Sequence, residues 1–200
     1  MNIDEKLIQM IESAFCDVKL GDEYTLLEED FYDSAGVRRH FDQLGSDPLK
    51  VYIGKDFGIE FSELKQEILE MPYWPESSKQ IALIALNNRQ KAINQFDSWR
   101  EISYEYLNAH LAAIFLSPKA FRYYLPAAIT IFIRNNRNYQ YCDFFNSIEF
   151  ILLHNSGEYI KLFNTDQLRC VCSFLESCNN LDKEQVDSTI KQIKLKISNQ

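Results

Sequence analysis

Three histidines, five cysteines, a run of carboxylates and one arginine set among aromatics could do chemistry in this 200-residue chain. His40, His110 and His154 lie far apart, and none stands in a metal-binding spacing such as H-E-x-x-H. A packed or surface histidine is the better reading of each. Cys170 and Cys172 stand two apart in a segment that reads as a helix, so they point to different faces. That arrangement suits neither a zinc half-site nor a redox pair, and buried thiols are expected. With Cys16, Cys142 and Cys178 the count is five, an odd number that fits reduced thiols in a cytosol. There is no glycine-rich phosphate loop, no dinucleotide fingerprint and no G-x-S-x-G elbow. Six glycines leave little material for such loops. No metal and no cofactor is expected, and no residue pattern identifies a reaction.

Arg122 sits in the run Phe121, Arg122, Tyr123, Tyr124. A guanidinium so placed must stack on rings and find a carboxylate, or burial costs heavily. Asp97, Asp143 and Asp30 are candidate partners. As a buried pair that fixes how central helices dock, Arg122 would be structural, and its loss would cost about 3 kcal/mol or more. The functional reading is an anion-binding arginine. Asp22, Glu23, Glu28, Glu29, Asp30 and Asp33 place six carboxylates within twelve residues without a base. Such a run is either a solvated helix face or a surface that steers a basic partner. Its spacing does not match D-x-[DN]-x-[DN]-G, so calcium of that type is not expected.

These residues must be positioned by helices. Residues 3 to 16 carry the stripe Ile3, Leu7, Ile8, Ile11, Ala14, Phe15, and Gly21 follows as a left-handed cap. Thr25 and Glu28 form a T-x-x-E capping box for a helix from Leu26 to Ala35. Leu49 to Ile53 and Ile59 to Phe61 read as a short two-stranded excursion. Ser62 opens a helix to Met71, with Phe61, Leu64, Ile68 and Leu69 inward. Pro72 and Pro75 bracket Tyr73 and Trp74. The helix from Ser77 to Gln95 holds the apolar run Ile81 to Leu86, expected to be buried on most sides. Ser103 caps a helix with the stripe Tyr104, Leu107, Leu111, Ile114, Phe115. Ser117-Pro118 starts another in the N-cap and N1 pattern, and Pro126 either kinks it or begins a new one. A helix through Phe144 and Leu152 follows, ending near His154 to Gly157. Asn164 with Gln167 caps the next, with Leu168, Val171, Cys172, Leu175 and Cys178 inward. The last runs from Asp182 to Ile197 and turns basic at its end. The stretch Phe96 to Arg134, which holds the most apolar run Leu125 to Ile133, is expected to be the core on which the others pack. The fold class is mainly α: one multi-helix domain over residues 1 to 200.

Net charge is −8, and it is unevenly placed. Residues 1 to 76 hold eighteen Asp and Glu against seven Lys and Arg, a balance of −11. This argues against nucleic-acid or anionic-membrane binding. The N-terminus lacks the marks of a secretory signal, and no stretch is long enough for a bilayer span. A cytoplasmic location is expected.

Three blocks carry a resemblance: A-F-x-x-V-x-L-G-x-x-x-T-L from Ala14 to Leu26, D-x-W followed by F-L-S-P-x-A-F-R-Y-Y-L-P-A between Asp97 and Ala127, and T-D-Q-x-x-x-V-x-x-F-L from Thr165 to Leu175. Together they resemble a family of bacterial helical proteins known only as a domain of unknown function. Residues 49 to 76 fall outside the resemblance. It implies no catalytic residues. Asp97, Trp99, Arg122, Tyr123 and Tyr124 in the central block are read as structural. Small acidic proteins of this kind are similar, by analogy, to immunity proteins encoded beside bacterial toxins. The expectation is a non-enzymatic partner of a cognate protein toxin. It would meet that toxin through the six carboxylates and through Tyr73 and Trp74 as aromatic anchors. The alternative is a small enzyme or ligand sensor with a pocket near Arg122.

Overall fold

The computed structural model describes residues 3–21, 23–34, 61–72, 74–93, 95–110, 114, 116–135, 143–154, 156–178 and 181–199. The chain, expected as one domain, falls into two compact units, Met1–Lys19 with Ser98–Gln200, and Leu20–Asp97. The described residues are mainly α-helical and contain no strand. The excursion expected over residues 49–61 lies outside them, except that Phe61 begins a helix.

In the first unit the stripe Leu7, Ile11 and Phe15 is buried and makes α1 (Ile3–Ala14). Ile3, at the open first turn, is exposed. A 3-10 turn, Trp99–Glu101, leads to α5 (Tyr104–Asn108). This helix is shorter than its apolar stripe suggested. Its stripe residue Leu107 is buried, but Ile114 is exposed beyond its end. Next come α6 (Pro118–Arg134), α7 (Asp143–His154), α8 (Ser156–Tyr159) and a 3-10 turn, Ile160–Leu162. The unit closes with α9 (Thr165–Glu176) and α10 (Lys183–Ser198). Starts were set locally. Ser103, Ser117, Asn164 and Asp182 each accept a backbone N–H from the first turn of the helix they precede.

Helix α6 is the axis of this unit. Pro126 does not begin another helix: it lies inside α6, which continues past it to Arg134. What the proline removes is the N–H that would bond the carbonyl of Arg122, four residues back. Phe121, Tyr124, Leu125 and Phe132 are all buried, each stabilising the fold by about 1.5–3 kcal/mol. Phe132 meets Phe174 edge to face, at 5.7 Å between centroids. Thr130 is buried among them, and its hydroxyl has no acceptor or donor among the described residues. Replacing that hydroxyl with a methyl removes an unsatisfied polar group at constant shape. Thr130→Val should therefore be neutral or raise stability by up to about 1 kcal/mol. Urea unfolding checks this, and a loss of stability would mean the hydroxyl is satisfied.

Both Cys170 and Cys172 are buried, so their two-residue spacing does not send either to solvent. Burial pushes the Cys170 thiol up to about 11 and raises that of Cys172. Such thiols are inert. A thiol reagent at mildly alkaline pH should label exposed Cys16 rapidly and Cys170 only on unfolding. Fast labelling of Cys170 in the native protein would contradict this packing.

The second unit contains α2 (Leu26–Ser34), α3 (Phe61–Glu70) and α4 (Glu76–Ile93). Leu64 and Ile68 are buried on α3, as their spacing predicts, but Leu69 is exposed. On α4 only one side of the apolar run is covered. Ala82, Ala85 and Leu86 are buried where α4 packs on α2 and α3, while Ile84 stays exposed. Gly21 has φ +68°, the left-handed conformation that a Cβ disfavours. No helix among the described residues is long and apolar enough to cross a membrane.

Candidate functional site

A helix leaves its last carbonyls without intrahelical donors. At the end of α1, three side chains from two distant segments supply them. Arg100 Nη2 donates to the carbonyl of Glu12 at 2.9 Å. Gln167 Nε2 donates to that of Ala14 at 2.9 Å. Trp99 Nε1 donates to that of Phe15 at 2.9 Å. The Arg100 guanidinium also lies over the Trp99 ring, 4.6 Å from its centroid. Below them, Phe163 meets Phe15 edge to face and stacks with Phe121. The three sequence blocks that looked related thus converge on one place, the end of α1.

Gln167 is its centre. The side chain is buried, and it makes three hydrogen bonds among the described residues. Asn164 Oδ1 accepts the Gln167 N–H at 2.9 Å, and Gln167 Oε1 accepts the Asn164 N–H at 3.2 Å, a complete capping box. The same Oε1 accepts Arg122 Nε at 3.0 Å. Sequence reading saw the cap but not the other two bonds.

Arg122 is not the buried ion pair expected of it. Its partner is the neutral amide of Gln167, and no carboxylate pairs with it among the described residues. Asp97 is exposed at the edge of the second unit, and the Asp143 side chain lies outside the described residues. The physical reason is partial exposure: a guanidinium that keeps some water needs no counter-ion to persist. Burial still lowers its pKa from the ordinary arginine value. The expected cost of Arg122→Ala falls accordingly, to about 1 kcal/mol for one hydrogen bond. Tyr123, Tyr124 and Trp99 are buried, as expected of a structural central block.

The second unit holds the buried pair that Arg122 does not make. Arg89 Nη1 donates to Glu28 Oε2 at 2.9 Å and Oε1 at 3.1 Å, and both side chains are at most 5% exposed. Arg89 also donates to the carbonyl of Glu23 at 3.0 Å. Glu28 meanwhile closes the capping box, accepting the N–H of Thr25 at 2.8 Å and its hydroxyl at 3.0 Å. Burial raises the Glu28 pKa, against the pull of Arg89 and Thr25.

This corrects the reading of the acidic run as a charged outer face without a base. Glu28 and Glu29 are buried, and Glu23 and Asp30 are half-buried. Asp22 and the side chain of Asp33 lie outside the described residues, as does Tyr73, while Trp74 is half-buried. Among the carboxylates that do face water in this unit are three on α3. Glu63, Glu67 and Glu70 are all exposed, at spacings that put them along one side of the helix.

A cleft of about 460 Å³ lies in the first unit, lined by Leu116, His154, Glu158, Tyr159 and Gln192 among others. Two of its polar groups are engaged. Glu158 pairs with Lys161 at 3.0 Å, and Tyr159 donates its hydroxyl to the carbonyl of Ile114 at 3.1 Å. His154 lies against Phe150 at 4.9 Å, and His110 against Tyr106 at 4.6 Å. Among the described residues no three of His, Cys, Asp and Glu are grouped to hold a metal ion.

Comparison with curated proteins and with solved structures finds no match. A family model does match residues 84–195, more than half of the chain and a span that includes Trp99, Arg122 and Gln167. The protein belongs to that family, described as a family of unknown function (DUF6714).

Proposed function

We propose that this is a non-enzymatic, cytoplasmic binding protein of bacterial origin, an immunity protein that occludes the active site of a cognate toxin. The observation that supports it is the row Glu63, Glu67 and Glu70, exposed on α3 in the acidic N-terminal part of the chain. Like charges at this spacing repel along a helix, although Glu63 in the first turn suits the helix dipole and Glu70 accepts from Gln66. They do speed association with a basic surface. Leu69, exposed beside them, supplies apolar area for such a contact. The polar residues at the end of α1 serve another purpose, since they hold a helix end.

The test starts with capture of the partner from the native host, followed by rescue of a toxin-expressing cell by co-expression. On the captured toxin, the triple change Glu63→Gln, Glu67→Gln, Glu70→Gln should leave stability within about 0.5 kcal/mol. It should slow association severalfold at low salt, an effect that shrinks as salt is raised. Equal on-rates for the two proteins at low salt would remove α3 from the interface. A second reading, a ligand sensor near Arg122, is favoured by the unpaired end of that guanidinium.

A further inference from the structure

From Ala120 to Thr130 every side chain of α6 is buried except one, that of Arg122. Its head emerges half-exposed between fully buried aromatics, Phe121 on one side and Tyr123 on the other. It is also held in place. Nε donates to Gln167 Oε1, and Gln167 is fixed by Asn164 and by the carbonyl of Ala14. The terminal nitrogens have no acceptor among the described residues. Two other arginines of this unit do have one: Arg100 has the Glu12 carbonyl and Arg169 the carboxylate of Asp166 at 3.0 Å, while Arg134 faces the Glu12 carboxylate as an exposed ion pair at 3.9 Å.

We propose that Arg122 anchors an oxyanion site, its Nη edge taking two oxygens of a carboxylate or phosphoryl group on a small ligand. Three arguments carry it. First, Gln167 Oε1 already accepts the Asn164 N–H, so the cap does not need a guanidinium to be satisfied. Second, partly desolvating a cation without a counter-charge is unfavourable, and an anion would reverse that cost. Third, a guanidinium fixed through Nε presents Nη1 and Nη2 as a preorganised fork, which suits bidentate oxyanions and loses little freedom on binding. The lowered pKa of Arg122 has the same origin, burial without compensation. The site is independent of the toxin-binding reading, whose face belongs to the other unit.

The experiment uses the whole wild-type chain, so it does not depend on a variant that folds. The side-chain Nε–Hε signals of Arg122, Arg100, Arg134 and Arg169 are followed by NMR. The probes are sodium phosphate in one titration and sodium acetate in another, at ionic strength held constant with sodium chloride. The Arg122 signal should shift and saturate in at least one titration, with a half-point about tenfold lower than any response of the other three, a difference of about 1.4 kcal/mol. Saturation by phosphate assigns a phosphoryl ligand, and saturation by acetate a carboxylate one. Arg122→Lys keeps the charge but lacks the fork, and should abolish the saturable shift of the neighbouring Gln167 and Asn164 amides. An Arg122 response that is linear and parallel to that of the exposed arginines in both titrations overturns the proposal.

Discussion

Replacing Arg89 with alanine should cost the fold about 3–5 kcal/mol, and replacing Glu28 with alanine about the same. Both side chains are withdrawn from water, so removing either strands the other. Arg89 also binds the Glu23 carbonyl, and Glu28 also caps α2 through Thr25. The double variant Glu28→Ala with Arg89→Ala should cost much less than the sum, because no charge is left buried alone. Glu28→Gln is the informative contrast. Glutamine preserves the capping box and leaves an amide oxygen for Arg89 but no counter-charge, so its cost should fall below that of alanine without vanishing. Chemical denaturation of the four proteins measures all of this. Additive losses in the double variant would show that the two residues do not act as a pair.

The same pair sets a pH dependence whose sign differs from that of an ordinary salt bridge. Burial outweighs Arg89, and the Glu28 pKa is raised in the folded state. The folded protein therefore holds this proton more tightly than the unfolded chain does. The associated stability is fully present below the ordinary glutamate range and is lost as pH rises through the raised value. Measured against Glu28→Gln, which cannot ionise there, the wild type should become relatively less stable as pH rises from that range. The reverse trend, relative gain with rising pH, would mean that attraction to Arg89 wins over desolvation.

What was legible in the sequence was local. The caps at Thr25 and Glu28, Ser103, Ser117, and Asn164 with Gln167 each span three residues, and each forms the hydrogen bond its spacing requires. Buried stripes such as Leu7, Ile11 and Phe15 follow from the helical period. Partners far along the chain were not legible. Glu28 is 61 residues from Arg89, and nothing near either residue announces the other, so the acidic run looked like a free surface. Arg122 looked buried because its neighbours are. Aromatic context reports the burial of the backbone, but a long side chain can carry its head out of that context. Leu69 and Ile84 failed differently. Their apolar spacing says which faces could be covered, and only the packing of α3 on α4 says which one is.

Gln167→Ala should cost about 3 kcal/mol and act first on α1. The substitution removes half of the capping box, worth about 1 kcal/mol. It also strands the part-buried Ala14 carbonyl, with a penalty of about 1–3 kcal/mol at most. Trp99→Phe should act on the same helix end by removing the donor to Phe15, though at lower cost, since that carbonyl also accepts the Val18 N–H at 3.1 Å. Gln167→Met separates packing from polarity. It fills nearly the same volume yet satisfies none of the three groups, so it should recover only the cavity part of the loss. Global stability alone cannot tell a held helix end from a damaged core, so the decisive readout is local. Amide hydrogen exchange in α1 should accelerate at least tenfold in Gln167→Ala, while the amides of α6 between Tyr124 and Phe132 slow or speed only with global stability. Exchange that accelerates equally in both helices would assign Gln167 to the core as a whole. Selective loss of α1 would show that the three blocks of related sequence are held together by one side-chain amide closing the end of a helix 153 residues away.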